Sequence, residues 1–280
     1  MMKIGVVGLG LIGGSMALDL RQQGYSVMGV SRRAETCEQA IARNIVDQAD
    51  IDLRILTDAD IVVLCTPLKV LEATTEQLIP HLKPQTILTD VGSVKGSIVE
   101  RLTQRWANFV GGHPMAGTAE QGLDAAQSNL FVDRPYVLTP IEQTSPAALE
   151  QVAALARSLG AVVHQCDPHI HDRAVAWISH LPVMVSSSLI AACLQESDPT
   201  VRVFAQIFAS SGFRDTSRVG GGNSELGLMM AQHNRTALLH ALTHYRQQLD
   251  QVIAMIDQED WRSLKTALEK THAARPNFVS

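Results

Sequence analysis

Cysteine is scarce and scattered. The four thiols, Cys37, Cys65, Cys166 and Cys193, lie far apart with no Cys-x-x-Cys pair and no His-rich ligand spacing, so neither a disulfide framework nor a structural zinc site is indicated, and a reducing cytoplasm fits. An excess of basic charge is also missing. With 23 Lys+Arg against 28 Asp+Glu the net charge is −5, which excludes a nucleic-acid binder driven by bulk charge. Charged residues reach only 18%, too few for a disordered chain. No apolar run approaches the roughly 18 residues that span a bilayer, and Met1-Met2-Lys3 leads straight into an apolar strand without a signal or transit pattern. The expectation is a soluble cytoplasmic protein with no membrane and no nucleic acid. What is present is apolar: 46% of 280 residues, enough for about two domains at roughly 100–200 residues each.

The first half alternates short β-rich runs with helical patterns, the sequence form of a doubly wound α/β sheet. Strands are expected at 4–7, 27–30, 61–65, 87–90, just before 111, 136–138 and 162–164, and helices at 12–23, 34–43, 70–82, 95–106 and 146–159. Beyond Asp167-Pro168 the apolar spacing becomes almost wholly helical, over 172–193, 201–210, 225–256 and 261–271. The boundary is drawn at 167, giving an N-terminal Rossmann-type doubly wound sheet (1–167) followed by an all-α domain (168–280). Residues 174–193 are apolar nearly all round, which suits burial against a second copy of the chain.

Gly8-Leu9-Gly10-Leu11-Ile12-Gly13 joins an expected strand to an expected helix. Gly8 permits the tight turn, Gly10 the close approach of a pyrophosphate, and Gly13 close helix–strand packing, while Leu11 and Ile12 open the helix whose N–H groups face the phosphates. After the second strand, where Asp or Glu usually holds an NAD ribose, stand Ser31, Arg32 and Arg33, with Thr36 beyond. Hydroxyls and guanidinium groups suit a 2′-phosphate, which favours NADP; the alternative for the arginines is solvated loop charge. Thr66 and Pro67, at the end of a parallel strand, are expected to border the nicotinamide.

Four further segments, the last two in the helical domain, place polar groups at strand ends or helical breaks. Ser93, in Asp90-Val91-Gly92-Ser93-Val94-Lys95, fits a helix N-cap as well as a functional hydroxyl. His113, in the apparent loop Gly111-Gly112-His113-Pro114, suits acid–base work or a surface position. His180 lies in an apolar helix that Pro182 is expected to kink, and reads either as a ligand or as a satisfied core histidine. Ser211 to Gly222 reads as a glycine-flanked loop, in which Arg218 is suited to clamp an anion and Asp215 is either a ligand or a partner of Arg214 or Arg218.

In this order, Gly8 to Gly13, Asp90 to Lys95, Gly112 to Thr118, Ser179 to Pro182 and Gly212 to Arg218 resemble the prephenate/arogenate dehydrogenase family over nearly the whole chain. The likeness is greatest to the cyanobacterial-type, NADP-dependent arogenate branch. The resemblance implies oxidative decarboxylation of a cyclohexadienol, arogenate or alternatively prephenate, by a homodimer joined through the helical domain. His113 would be the general base and Ser93 would orient the same hydroxyl. Arg218 and His180 would hold the substrate, with Asp215 a candidate for the arogenate amino group. Many relatives carry Glu directly after the Gly-Thr of the His-Pro segment; here Ala119 stands there and Glu120 follows, so an acidic gating residue is not carried over. Two readings compete. A β-hydroxyacid dehydrogenase would need a helical-domain lysine, yet only Lys265 and Lys270 follow residue 167; a non-catalytic NADPH-sensing dimer would tolerate loss of the polar groups at 93, 113 and 218.

Overall fold

A computed structural model describes residues 1–118 and 120–278; Ala119, singled out above, lies outside them. The N-terminal half is an eight-stranded sheet: β1 (Lys3–Val7), β2 (Ser26–Val30), β3 (Gln48–Asp50), β4 (Ile61–Leu64), β5 (Ile87–Asp90), β6 (Phe109–Pro114), β7 (Pro135–Thr139) and β8 (Val162–Gln165). Their order is β3-β2-β1-β4-β5-β6-β7-β8, parallel throughout except for the antiparallel β6–β7 pair. The first six strands reproduce the 3-2-1-4-5-6 order of dinucleotide-binding sheets, whose switch point lies between β1 and β4. Helices α1 (Leu11–Gln22), α2 (Ala34–Ala42), α3 (Leu68–Leu78), α4 (Gly96–Arg105) and α5 (Pro146–Ser158) cover it.

Both faces of the sheet are buried, which explains the unbroken apolar runs. Ile4 and Val6 of β1, with Ile61 and Val63 of β4, enter one core; Val7, Val62 and Leu64 enter the other. Two expectations needed correction here. The three-residue edge strand β3, Gln-Ala-Asp, carries no β-rich pattern and exists because it pairs with β2. His113 lies in strand β6, because Gly111–Pro114 pair in register with Tyr136–Thr139; tertiary pairing overrides the weak β-propensity of Gly-Gly-His-Pro.

After β8, every described element is helical: α6 (Pro168–Val175), a π-helical turn (Ala176–His180), α7 (Leu181–Leu194), α8 (Pro199–Phe208), α9 (Ser211–Ser217), a 3-10 turn (Arg218–Gly221), α10 (Ser224–His233), α11 (Arg235–Asp257) and α12 (Trp261–Ala274). The expected loop around Arg218 is therefore helical, and the expected single helix over 225–256 breaks at Asn234. Pro182 has no N–H to return to the turn before it, and the widened π turn lies just ahead of it. The joined stretch Pro168–Leu194 has 27 residues, with an 18-residue window of mean hydropathy 1.5 that is only 17% buried. By length and composition it could cross a bilayer, which corrects the expectation that no run is long enough; α6, the π turn and α7 join into one helix, with the widened turn just ahead of Pro182, where a kink is expected.

Candidate active site

The glycine motif lies at the switch point. Gly8 has φ +106°, and a Cβ there would come 2.7 Å from the Cys65 carbonyl oxygen; at Gly13 it would come 2.1 Å from the Gly8 carbonyl oxygen. The turn therefore closes tightly onto β4, with glycine required at both positions. Gly10 faces open space, and as N-cap of α1 it offers no side chain to the helix's first N–H groups. Leu11 and Ile12 begin that helix, so its amide donors remain for phosphate oxygens. Ser31, Arg32 and Arg33 follow β2; the two guanidinium groups are exposed and, among the described residues, make no ion pair. Thr36 is buried in the first turn of α2. Thr66 Oγ1 is buried without a partner beside Pro67, the N-cap of α3. A cradle only glycine can form, free amide donors and an orphaned hydroxyl fit a nicotinamide dinucleotide.

Ser93 is not a helix cap. Lys95 occupies the cap position of α4, and Ser93 Oγ is buried with no hydrogen-bond partner. His113 is 9% exposed, and its Nδ1 lies 2.8 Å from Nε2 of His171. His171 Nδ1 in turn lies 2.9 Å from the Asp172 carboxylate, which also accepts the backbone N–H groups of Lys95 (2.7 Å) and Gly96 (2.8 Å). Donor accounting fixes the tautomers. A carboxylate only accepts, so His171 donates from Nδ1 and accepts at Nε2; His113 must then donate from Nδ1, leaving its Nε2 lone pair free. Burial, followed by electrostatic opposition from the neighbouring His171, Lys95 and His180 side chains to a further positive charge, holds the His113 pKa well below its ordinary value, so the ring is a neutral acceptor at neutral pH.

His180, at the end of the π turn, is fully buried. Asn234 donates one amide hydrogen to the Asp172 carbonyl (2.7 Å) and the other to His180 Nδ1 (3.1 Å). His180 Nε2 therefore carries the hydrogen, and it has no partner. Burial pushes the His180 pKa down to about 4, so it too is neutral. Joined through His171, Asp172 and Asn234, His113 and His180 bring a free acceptor and an unpaired donor to one buried centre, and the Ser93 hydroxyl is buried without a partner two residues before Lys95, which hydrogen-bonds Asp172. Such a centre can take a proton from an alcohol while hydrogen-bonding a neighbouring oxygen.

His171, Asp172 and Asn234 do not stand out in the sequence. A His-Asp pair in the first turns of α6 and an Asn at a helix junction look like ordinary helix-end residues. Arg218 and Asp215 are exposed and, among the described residues, neither is paired, so the alternative of an Asp215–arginine bridge is not realised. Their segment is fixed to α7: Ser186 Oγ donates to the Thr216 carbonyl at 2.5 Å, and a Cβ at Gly220 would collide with the Ser186–Ser187 backbone at 2.4 Å. His113 and His180 thus meet through the network of His171, Asp172 and Asn234; Ser93 lies two residues before Lys95, whose backbone N–H joins that network, and Arg218 and Asp215 lie outside it on the segment fixed to α7.

Residues 16–165 match the family model of the prephenate dehydrogenase nucleotide-binding domain, and residues 167–270 that of the prephenate dehydrogenase dimerization domain. The chain is 30% identical to the prephenate dehydrogenase of Bacillus subtilis over 275 residues, covering 94% of this chain and 73% of that protein. Among solved structures it is similar to Synechocystis arogenate dehydrogenase, at 55% identity and TM-score 0.91, covering 99% of this chain and 100% of the other. It is likewise similar to the A. aeolicus prephenate dehydrogenase in complex with hydroxyphenyl propionate and NAD+, at 28% identity and TM-score 0.93, over 99% and 98% of the two chains.

Proposed function

The chain belongs to the prephenate dehydrogenase family of oxidoreductases, and from that premise we propose that it oxidatively decarboxylates L-arogenate to L-tyrosine with NADP. The carrying observation is the Asp172–His171–His113 line, which leaves one neutral imidazole acceptor facing a buried site with an unpaired hydroxyl and an unpaired N–H donor. Arogenate as substrate is supported by the 55% identity to Synechocystis arogenate dehydrogenase. Prephenate is the second reading, supported by the name of the B. subtilis relative.

The substrate class carries a hydroxyl at ring C4 and a carboxylate at C1. Its conversion removes a hydride from C4, a proton from the hydroxyl and CO2 from C1, and aromatisation drives it. The bound nicotinamide supplies the hydride acceptor. His113 Nε2 takes the hydroxyl proton, and the resulting imidazolium shares its charge through Nδ1 with His171 and Asp172. Ser93 Oγ binds the same oxygen and fixes its orientation. His180 Nε2–H and the Arg218 guanidinium hold substrate oxygens from the helical side, and Asp215 selects the amino group of arogenate by charge. Gly8 to Gly13 bind the pyrophosphate, Ser31, Arg32, Arg33 and Thr36 the 2′-phosphate, and Thr66 and Pro67 border the nicotinamide.

The same reading divides the chain into a cofactor domain, 1–167, and a helical domain, 168–280, joined to a second copy in a cytoplasmic homodimer. Support for the dimer is the match to a dimerization-domain model together with the uncovered apolar side chains of α7, α8, α11 and α12. The exposed apolar surface of Pro168–Leu194 then faces a partner chain; the helix also carries the buried His171, Asp172 and His180, which suits a protein interior rather than lipid. The test is initial-rate formation of reduced cofactor with arogenate and prephenate, each with NADP and NAD. Fast turnover of arogenate with NADP is expected; faster turnover of prephenate would move the assignment to the second reading, and no turnover of either would overturn both.

A further inference from the structure

We propose that the buried Asp90–Lys95 ion pair is a positioning clamp that sets the Ser93 hydroxyl against the His113 ring. The proposal rests on the roles given to Ser93 and His113 above. Both members of the pair are completely buried. Burial opposes the Lys95 ammonium and lowers its pKa, and the Asp90 carboxylate counters that effect. Stability alone is a poor reason for such a pair, since well-packed apolar residues of similar size usually serve as well. The contacts of the pair supply a better one.

Asp90 ends β5, and its carboxylate accepts the N–H of Gly92 at 2.9 Å and that of Gly112 at 3.1 Å. These are the residues immediately before Ser93 and His113. Lys95 Nζ donates to Asp90 Oδ2, the oxygen that also accepts from Gly92, and, at 2.8 Å, to the carbonyl of Gly112. The peptide groups on both sides of Gly112 are thereby held by one ion pair, and the backbone lies so close that a Cβ at Gly112 would come 2.7 Å from the Asp90 carbonyl oxygen. The backbone N–H of Lys95 is held at 2.7 Å by Asp172, the residue that orients His171 and through it His113. Lys95 thus stands where the Ser93 segment, the His113 strand and the histidine line meet.

The clamp has an electrostatic side as well. The groups facing His113 are His171 and His180 from the helical half and Lys95 from α4's cap, with Asp172 behind His171 and Asp90 behind Lys95. The ammonium of Lys95 disfavours a second positive charge on His113 and so helps to keep the base neutral.

The test compares the full-length enzyme with D90N/K95M, which removes both charges together and leaves no buried ion unpaired, and with K95M alone. A displacement of the base by about 1 Å predicts a kcat loss of about 10–100-fold, with cofactor Kd nearly unchanged. In K95M the acid limb of kcat/KM moves to higher pH, because one cation no longer opposes protonation of His113. A merely structural pair would lower the thermal midpoint and leave kcat and the pH limb of the folded enzyme in place, which overturns the proposal. Should D90N/K95M fail to fold, D90E keeps both charges and displaces the carboxylate by one methylene. Reduced kcat with normal cofactor binding in D90E supports the clamp, and wild-type kcat overturns it. H113N measured in parallel separates the two levels: an impaired H113N beside an unimpaired D90N/K95M removes the clamp alone, whereas a fully active H113N removes the reading beneath it.

Discussion

The sheet half and the helical half of this chain treat their apolar residues in opposite ways. Strands β1 and β4 send alternate side chains into two cores, and Ile4, Val6, Ile61, Val62, Val63 and Leu64 are wholly buried within a single chain. Among the described residues, the buried members of the helical half's own core are Ala176, Leu181 and Ala241. It leaves Phe208 72% and Ile207 66% exposed. Area removed from water is what stabilises a fold, so the first half is complete alone and the second is complete only against another surface. The site straddles the two. In the proposed reading, Ser93 and the base His113 come from the complete half, while the orienting His171 and Asp172 and the substrate-holding His180 and Arg218 come from the incomplete one.

That division predicts that chemistry or cofactor binding fails when the sheet half is altered, and that substrate binding or assembly fails when the helical half is. The largest effect is expected at His113. H113N should lower kcat by about 100-fold or more while cofactor affinity, followed by fluorescence titration, stays nearly constant. In the wild type, kcat/KM should hold level as pH falls through the ordinary histidine range, because His113 titrates well below it; loss of rate centred near that ordinary value would contradict the buried neutral base. Equal losses of kcat and cofactor affinity in H113N would blur the two halves.

Next comes the interface. Placing Asp at both Ile207 and Phe208 should weaken self-association by about 30-fold or more, read by sedimentation velocity, and should leave NADP binding to the sheet half intact. A variant that still forms the native dimer would show that another face covers the helical half. R218A should raise the substrate KM by about 10-fold or more with a smaller change in kcat. A pure kcat effect would move Arg218 from binding to chemistry and break the comparison. The smallest effect is expected at the cofactor edge, where R32A should weaken NADP over NAD by about 10-fold. Equal losses for the two cofactors would mean that the exposed guanidinium does not meet a 2′-phosphate.

Much of this architecture is legible in the amino-acid sequence. The glycine turn and the strand–helix alternation follow from local requirements: a positive φ at Gly8, close packing at Gly13, continuous apolar runs for strands buried on both faces. Ser93, His113 and His180 stand out because polar residues sit at strand ends or inside an apolar helix. The segments whose sequence misleads share a cause. Gly111–Pro114 and Gln48–Asp50 have weak strand propensity and are strands only because β7 and β2 pair with them, and the run from Ser211 to Gly221 is helical although its glycines favour a loop.

By itself, then, the sequence determined which segments are strands and helices over most of the chain, where a dinucleotide can approach backbone, and which polar residues stand in unusual places. Local propensity and periodicity reach only a few residues along the chain, so they carry that information and no more. Tertiary structure alone decided that His113 meets His171 across 58 residues, that Asp172 reaches Lys95 across 77 and that Asn234 reaches His180 across 54. Those pairings settle which ring nitrogen holds a proton and which group is left without a partner. The physical reason is that a histidine's tautomer and charge follow from burial and from the donors and acceptors around it, and the crossing of the two halves brings those neighbours together.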